Sequence, residues 1–375
     1  MLKVAVDELF IQLNTSIRDA LMHIDRGGLG IALIVDDEHR LMGTISDGDV
    51  RRAMLSSLDL DTPVAVLLER KKDGQYSKPI TARVGTARDD LLLLMRKFIL
   101  REIPLLDEND RVVGLISMDD LVPNDPISLQ AVIMAGGFGS RLRPLTEEMP
   151  KPMLPVGGRP LMEVLLEQLR DSGIRNVNVT THFKPEKISD YFGDGKKFGV
   201  ALNYINEEHP LGTGGALGLI AKPSEPLLVV NGDVLTQVDF RAMFAFHQEY
   251  KADLTLAVRQ YDVDVPYGVV DGDGVFVKGI REKPRLNFFV NAGIYLLQPA
   301  VYEYIPAGKR FNMTDLIQWL MDAGRVVVSF PVREYWLDIG QHADYAKAQK
   351  DIEDGLMTNG HSKHSGDSKN GQEGQ

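Results

Sequence analysis

Apolar positions in the first third of the chain change period several times, and the same order of periods occurs twice. Ile17, Ala20, Leu21 and Ile24 fall at the spacing of one helix face, and Ile31 to Val35 is an apolar run of strand length. Asp36-Asp37-Glu38 reads as a turn and Leu41 to Ile45 as a second strand. Laying Arg40-Leu-Met-Gly-Thr-Ile-Ser-Asp-Gly-Asp-Val50 over Arg111-Val-Val-Gly-Leu-Ile-Ser-Met-Asp-Asp-Leu121 brings Arg, Gly, Ile, Ser and Asp into register. Upstream, Ser16-Ile-Arg-Asp19 and Thr86-Ala-Arg-Asp89 stand at similar offsets, each a start that satisfies free N–H groups of a helix. Two copies are too few for a solenoid, so the pattern predicts two small α/β units packed face to face around a cleft. Arg51 and Arg52 open the helix after the first copy; a solvated face is the plainer reading, a phosphate contact the sharper one.

Pro123-Asn-Asp-Pro126 breaks the pattern with turn-formers. The repeats are drawn at 1–60 and 61–123, with a linker at 124–128. From Leu129 strands and helices alternate. Strands are predicted at Ala131 to Met134, Val177 to Thr180, Ala201 to Ile205, Leu227 to Val230 and Leu254 to Val258. Met162, Leu165, Leu166 and Leu169 mark a helix, and another begins near Pro185. This alternation predicts an α/β domain with a mainly parallel sheet over 129–352. Thr358 to Gln375 holds no apolar residue, and 353–375 is expected to be a disordered tail in which His361 and His364 make no metal site.

Composition narrows the chemistry. At 375 residues the chain exceeds one core, and 44% hydrophobic with 25% charged residues is ordinary for a water-soluble protein. The densest apolar stretch, Leu91 to Met95, stops at Arg96-Lys97, so no membrane span is predicted. Met1 to Leu13 lacks the layout of a signal peptide, and a cytoplasmic protein is expected. Without cysteine there are no disulfides, thiolate metal sites or Cys nucleophile, which leaves hard cations on carboxylates. A net charge of -11 argues against a nucleic-acid partner; an anionic nucleotide would need locally gathered Arg and Lys.

One loop gathers them. The strand ending at Met134 runs into Ala135-Gly-Gly-Phe-Gly-Ser-Arg-Leu-Arg-Pro-Leu-Thr146 and then Pro150-Lys-Pro-Met-Leu-Pro155. Glycines after a buried strand let backbone N–H groups approach phosphate oxygens. A dinucleotide fingerprint needs a glycine where Leu142 stands, and the P-loop spacing occurs nowhere. On these residues alone, Arg141 and Lys151 fit a phosphate clamp and a solvated loop equally. Asp271-Gly-Asp-Gly274 lacks the remaining ligands of a calcium loop and reads as a hairpin turn.

Two resemblances organise these segments. The repeated order of helix, strand, acidic turn, strand, Gly-x-Ile-Ser-x-x-Asp and helix resembles a CBS domain, twice, over residues 2 to 123. It implies that Ser46 with Asp49 and Ser117 with Asp120 face a cleft for an adenine nucleotide; a strand end capping the next helix is the open alternative. The glycine-rich string with its Pro-Lys-Pro resembles the signature of sugar-nucleotide pyrophosphorylases, over about residues 129 to 350.

That second resemblance implies a Rossmann-like, glycosyltransferase-A-like α/β fold and a set of roles. Ala135, Gly136, Gly137, Gly139 and Ser140 would wrap a triphosphate that Arg141 and Lys151 clamp. Leu211-Gly-Thr-Gly-Gly-Ala-Leu217 resembles the base-binding segment, with Gly212 and Thr213 at the base and Gly214 in place of the usual Ala. Asp233 in Val229-Val-Asn-Gly-Asp233 and Asp338 in Tyr335-Trp-Leu-Asp-Ile-Gly340 resemble the family's Mg2+ pair. Lys283 would meet the acceptor phosphate, and Glu282, Asn291, Tyr267 and Gly268 the sugar. Arg141, Lys151, Asp233 and Lys283 are thus the expected catalytic set. The implied reaction transfers a nucleotidyl group from an NTP to a sugar 1-phosphate. GTP with a mannose- or glucosamine-1-phosphate-like acceptor is favoured, by analogy with CBS-fused guanylyltransferases, and a homo-oligomer is expected. A uridylyl- or thymidylyltransferase on glucose-1-phosphate and a non-catalytic nucleotide sensor are the alternatives.

Overall fold

The computed structural model describes residues 5–72, 77–122 and 127–357. The expected linker therefore falls mostly, and the tail from 358 wholly, outside the described residues.

The N-terminal module runs β1 (Phe10–Ile11), α1 (Ile17–Gly27), β2 (Ile31–Val35), β3 (Leu41–Ser46), α2 (Asp47–Leu55), α3 (Ala65–Lys71), β4 (Ala82–Arg83), α4 (Arg88–Phe98), β5 (Glu102–Leu106), β6 (Val112–Ser117) and α5 (Met118–Leu121). Each copy forms its own three-stranded sheet, ordered β1-β2-β3 and β4-β5-β6. The copies are stitched edge to edge, with the Leu41 N–H on Asp110 O at 3.3 Å and the Val112 N–H on His39 O at 2.9 Å. Ile17, Ala20 and Ile24 are buried as the helical spacing requires, and Ser16 Oγ accepts the Asp19 N–H. The matching cap in the second copy is not formed. Helix α4 starts one residue later on Ala87, and the Thr86 hydroxyl donates instead to Arg83 O at 2.7 Å. The divide expected at residue 60 lies inside the first unit, since Val64 and Leu67 of the following segment pack in its core.

The second unit begins with β7 (Gln130–Met134), the hairpin β8 (Pro155–Val156) and β9 (Arg159–Pro160), and α6 (Leu161–Asp171). It continues through β10 (Asn176–Thr181), α7 (Pro185–Phe192), β11 (Ala201–Asn206), α8 (Gly212–Gly215), β12 (Leu227–Asn231), β13 (Val234–Thr236) and α9 (Phe240–Glu249). Then come β14 (Leu254–Asp264), β15 (Val269–Asp273), β16 (Phe276–Arg281), β17 (Arg285–Leu297), α10 (Met313–Asp322), β18 (Val327–Val332), β19 (Trp336–Asp338) and α11 (His342–Glu353). The central sheet is ordered β11-β10-β7-β12-β17-β14-β18. Strands β11, β10, β7 and β12 are parallel, β14 and β18 are parallel, and β17 runs against both its neighbours. The mainly parallel sheet is as the alternation predicts. Its apolar strands are buried on both faces, one by α6, α7 and α9 and the other by α10. The unit extends beyond residue 352, where the tail was expected to start: α11 ends at Glu353 and Met357 packs against Leu154 and its neighbours.

Candidate active site

Parallel strands β7 and β12 end side by side, so the loops leaving their C-terminal ends must fit against each other. The Gly232 N–H donates to Met134 O at 2.9 Å, and a Cβ on Gly232 would stand 2.9 Å from that oxygen. Only glycine allows this approach. The glycine-rich loop then folds back on its own second half: Gly139 takes φ 60°, and the Thr146 hydroxyl donates to Gly139 O at 2.8 Å. A Cβ at Gly139 would lie 2.9 Å from Thr146 Cγ2 and 3.4 Å from Lys151 Cβ. Loop glycines and the Pro-Lys-Pro segment are therefore one packed unit.

Lys151 is buried there, its Nζ 2.6 Å from Asp233 Oδ2 and 3.8 Å from Asp338 Oδ1. The two aspartates are distant in sequence but held by a short ladder. Val234 pairs with Asp338 in β13 and β19, and the Ile339 N–H donates to Asp233 O at 3.0 Å. Burial first, then the neighbouring Asp233 charge, pushes the Asp338 carboxyl up, while Lys151 and Arg141 pull it down. Arg141 thus faces the same centre. Asp233 Oδ1 and Asn231 Oδ1 are buried and, among the described residues, lack a hydrogen-bond partner. Two mutually repelling carboxylates with an unfilled acceptor suit a hard divalent cation. The described residues hold no cluster of three or more His, Cys, Asp or Glu placed to hold a metal ion.

The segment expected to meet the base, Leu211 to Leu217, is linked to the same loop through Glu207. Gly212 sits at φ 80°, where a Cβ would stand 2.7 Å from Phe311 O. Thr213 Oγ1 accepts the Met313 N–H at 3.1 Å, and the Gly214 and Gly215 N–H groups share Phe311 O at 3.0 and 2.9 Å. Between this segment and the loop lies Glu207, which the motif reading overlooks. It is buried, its Oε2 accepts the Leu211 N–H at 2.9 Å, and a Cβ on Gly136 would lie 2.5 Å from its Oε1. Burial raises its carboxyl above the usual range, and the Leu211 N–H partly offsets this. In the sequence, an acid between a strand and a Pro-Leu-Gly turn is a weak signal.

The expected sugar-binding residues divide into two groups. Asn291 belongs to the centre: it donates to the Tyr295 hydroxyl at 2.8 Å and accepts the Gly293 N–H at 2.9 Å. A Cβ at Gly293, φ 70°, would meet Asn231 Nδ2 at 2.6 Å, so Asn291 and Asp233 are connected through one packed corner. Tyr267, Gly268, Glu282 and Lys283 lie on an exposed arm formed by β15, β16 and the outer halves of β14 and β17. A Cβ on Gly268 would lie 3.0 Å from Glu282 Oε2, and Lys283 takes φ 43° in the turn before β17. Among the described residues no ion pair ties this group to Lys151 or Asp233.

In the N-terminal module, Ser46, Asp49 and Ser117 line a cleft of about 400 Å³. Ser46 with Asp49, and Ser117 with Asp120, each form a reciprocal cap on the helix that comes next. Asp49 is buried and also bound by Lys71 at 2.5 Å and Arg52 at 2.7 Å. Burial pushes Glu102, on the same cleft, up to about 8, reinforced by Asp239, Asp119 and Asp47 against the pull of Arg101. The cleft is closed on one side by Phe246 and Glu249 of α9 and by Phe330 of β18. The solvated face expected at Arg51 and Arg52 is not found. Arg51 is fully buried against the second unit, and Arg52 donates to Glu249 at 2.8 Å. These contacts come from the other unit, which residue spacing within the repeat does not reveal.

A glycine-rich loop leaving β7, a buried lysine, and two aspartates, one just after β12 and one in β19, meet at one place, the layout of a nucleotide-handling transferase. The nucleotidyl transferase family model matches residues 130–355, and the CBS domain model matches residues 4–56 and 75–124. The chain belongs to the nucleotidyl transferase family and carries two CBS domains. It is 34% identical over 228 residues to the D-glycero-alpha-D-manno-heptose 1-phosphate guanylyltransferase of Aneurinibacillus thermoaerophilus, a match covering 60% of this chain and 99% of that one. To the mannose-1-phosphate guanylyltransferase of Mycobacterium tuberculosis it is 33% identical over 237 residues, covering 61% of this chain and 66% of that protein. The UTP--glucose-1-phosphate uridylyltransferase of Synechocystis sp. is also 33% identical, with 60% and 63% covered. Among the described residues no helix is long and apolar enough to cross a membrane.

Proposed function

We propose that this chain transfers a guanylyl group from GTP to the phosphate of a hexose or heptose 1-phosphate, releasing pyrophosphate and an NDP-sugar, with Mg2+ as cofactor. The observation that carries the reading is the convergence of Lys151, Asp233 and Asp338 at the mouth of the glycine-rich loop. Joining two anions demands charge neutralisation and alignment above all. An acceptor phosphate is largely a dianion near neutral pH, so the reaction needs no general base. Lys151 and Arg141 would bear on the triphosphate and Lys283 on the acceptor phosphate. Asp233 and Asp338 would hold the cation, which supplies electrostatic stabilisation of the transferring phosphoryl group. Glu282, Asn291, Tyr267 and Gly268 would read the sugar.

Glu207 supports guanine. Guanine presents two adjacent N–H donors on its pairing edge, which one carboxylate accepts together. Uracil and thymine offer a single donor between carbonyls, and adenine sets its amino group beside an acceptor. The guanylyltransferase names of two relatives point the same way. An adenine nucleotide in the CBS cleft, a homo-oligomer and a cytoplasmic location complete the proposal.

The test is pyrophosphate release with Mg2+ across four NTPs and a panel of hexose and heptose 1-phosphates, with and without AMP. Release with GTP and one acceptor supports the reading; release with UTP or dTTP and glucose-1-phosphate replaces the base assignment. No release under any pairing favours a nucleotide sensor.

A further inference from the structure

Arg51 belongs to the first CBS repeat, yet its side chain is wholly buried against the transferase unit. Its guanidinium lies over the Phe330 ring at 4.0 Å, donates to the Pro331 carbonyl, and reaches Glu334 Oε1 at 2.6 Å; its Nε donates to Asp47 at 2.5 Å. Arg333, in return, reaches across to Asp47 at 2.5 Å and Asp25 at 2.6 Å. Residues 330–334 are thus gripped by the N-terminal module. From its own unit the same segment is held by Arg259, whose guanidinium donates to Val332 O and Glu334 O, both at 3.0 Å.

Residues 335–338 connect this grip to the site. Tyr335 O accepts the Gln237 N–H at 2.9 Å and the Thr236 hydroxyl at 3.2 Å, and the Trp336 indole donates to Ala292 O at 2.8 Å, beside Asn291. Strand β19 then sets Asp338 opposite Val234, the residue after Asp233. No flexible loop intervenes between Glu334 and Asp338: every residue from 335 to 338 is in the β13–β19 pair or bonded to it. The hold on Glu334 is therefore continuous, through the bonded segment 335–338, with the strand that presents Asp338.

We infer that Arg51 is a positioning residue for Asp338, acting through Glu334 and β19, so that the N-terminal module sets the spacing of the two aspartates. The inference rests on the metal role proposed for those aspartates. Arg51 stands in the wall of the cleft but is fully covered there, beside Asp47, which also lines it.

The test uses the full chain with GTP. Mn2+ binding to the protein–GTP complex is followed by EPR, alongside the Mg2+ concentration for half-maximal pyrophosphate release and the GTP affinity without metal. Arg51→Met is expected to weaken Mn2+ binding about 10-fold, the scale for residues that orient a metal ligand, and to leave metal-free GTP affinity within about twofold. Arg51→Lys is expected to recover part of the loss. A folded Arg51→Met protein with wild-type Mn2+ affinity overturns the inference, as does equal weakening of Mn2+ and metal-free GTP binding. Should Arg51→Met fail to fold, Glu334→Gln, which keeps side-chain length and removes the charge, is judged by the same criteria. A wild-type protein that binds Mn2+ but releases no pyrophosphate from GTP with any acceptor refutes the guanylyl-transfer reading and leaves the Arg51 comparison intact. A wild type that binds no Mn2+ overturns the inference itself.

Discussion

The Lys151 ammonium lies 2.6 Å from the Asp233 carboxylate and faces Asp338 at 3.8 Å, so one cation separates two acids that would otherwise repel. Without substrate, lysine holds the charge balance of the centre. On the proposed reading, the same ammonium would turn toward phosphate oxygens once a triphosphate and a divalent ion bind.

Replacing that lysine removes both roles. Lys151→Ala is expected to lower kcat by ~100-fold or more, the usual cost of losing a principal charge partner in a transition state. Pyrophosphate release under saturating substrates measures it, and turnover near the wild-type rate would contradict the proposed site.

Glu207→Gln replaces an all-acceptor edge with one donor and one acceptor. Selectivity for GTP over UTP, measured as the ratio of kcat/KM values, is expected to fall by about 10- to 100-fold, the range of a bidentate base contact. An unchanged ratio would remove Glu207 from base reading.

At Gly212 the obstacle is backbone as well as the Asn312 side chain, whose Oδ1 would also lie 2.7 Å from a Cβ. The positive φ of 80° and the Phe311 carbonyl, 2.7 Å from where a Cβ would be, leave Gly212→Ala no unstrained place. A KM for NTP raised at least ~10-fold, with the sugar-phosphate KM little changed, is the expected signature of a strain of about 1–3 kcal/mol.

Stability should fall in mild acid. His247 is buried between the Thr255 hydroxyl and Gln298, at 2.8 and 2.9 Å, and burial lowers it from 6.5 to about 4. The unfolded chain then takes up the proton first, so the contribution is complete above about 6.5 and is lost as pH drops toward 4. The loss is on the order of 3 kcal/mol. Urea midpoints at pH 7 and 4.5 measure it, and His247→Asn should flatten the difference.

The α/β alternation, the duplicated module and the glycine-rich loop were legible because each depends on local periodicity or on a glycine that nothing else can replace. Thr86 shows where local reading stops: its capping spacing matches that of Ser16, yet its hydroxyl turns back to Arg83 O. Glu207 was missed and Arg51 was read as a solvated or phosphate-binding residue for a common reason. Each acquires its meaning from a segment distant in sequence, Gly136 in one case and Glu334 in the other.

The duplicated module also departs from its own symmetry. In the aligned repeats, Asp47 and Arg51 of the first copy correspond to Met118 and Val122 of the second. Two matching faces thus present different surfaces: one carries an acid and a guanidinium against the catalytic unit, and the other has neither at those positions. With the pair in both copies, the module would offer two similar berths for one catalytic unit. The pair in the first copy, with Arg101 of the second on Asp239, leaves one way for the two units to meet.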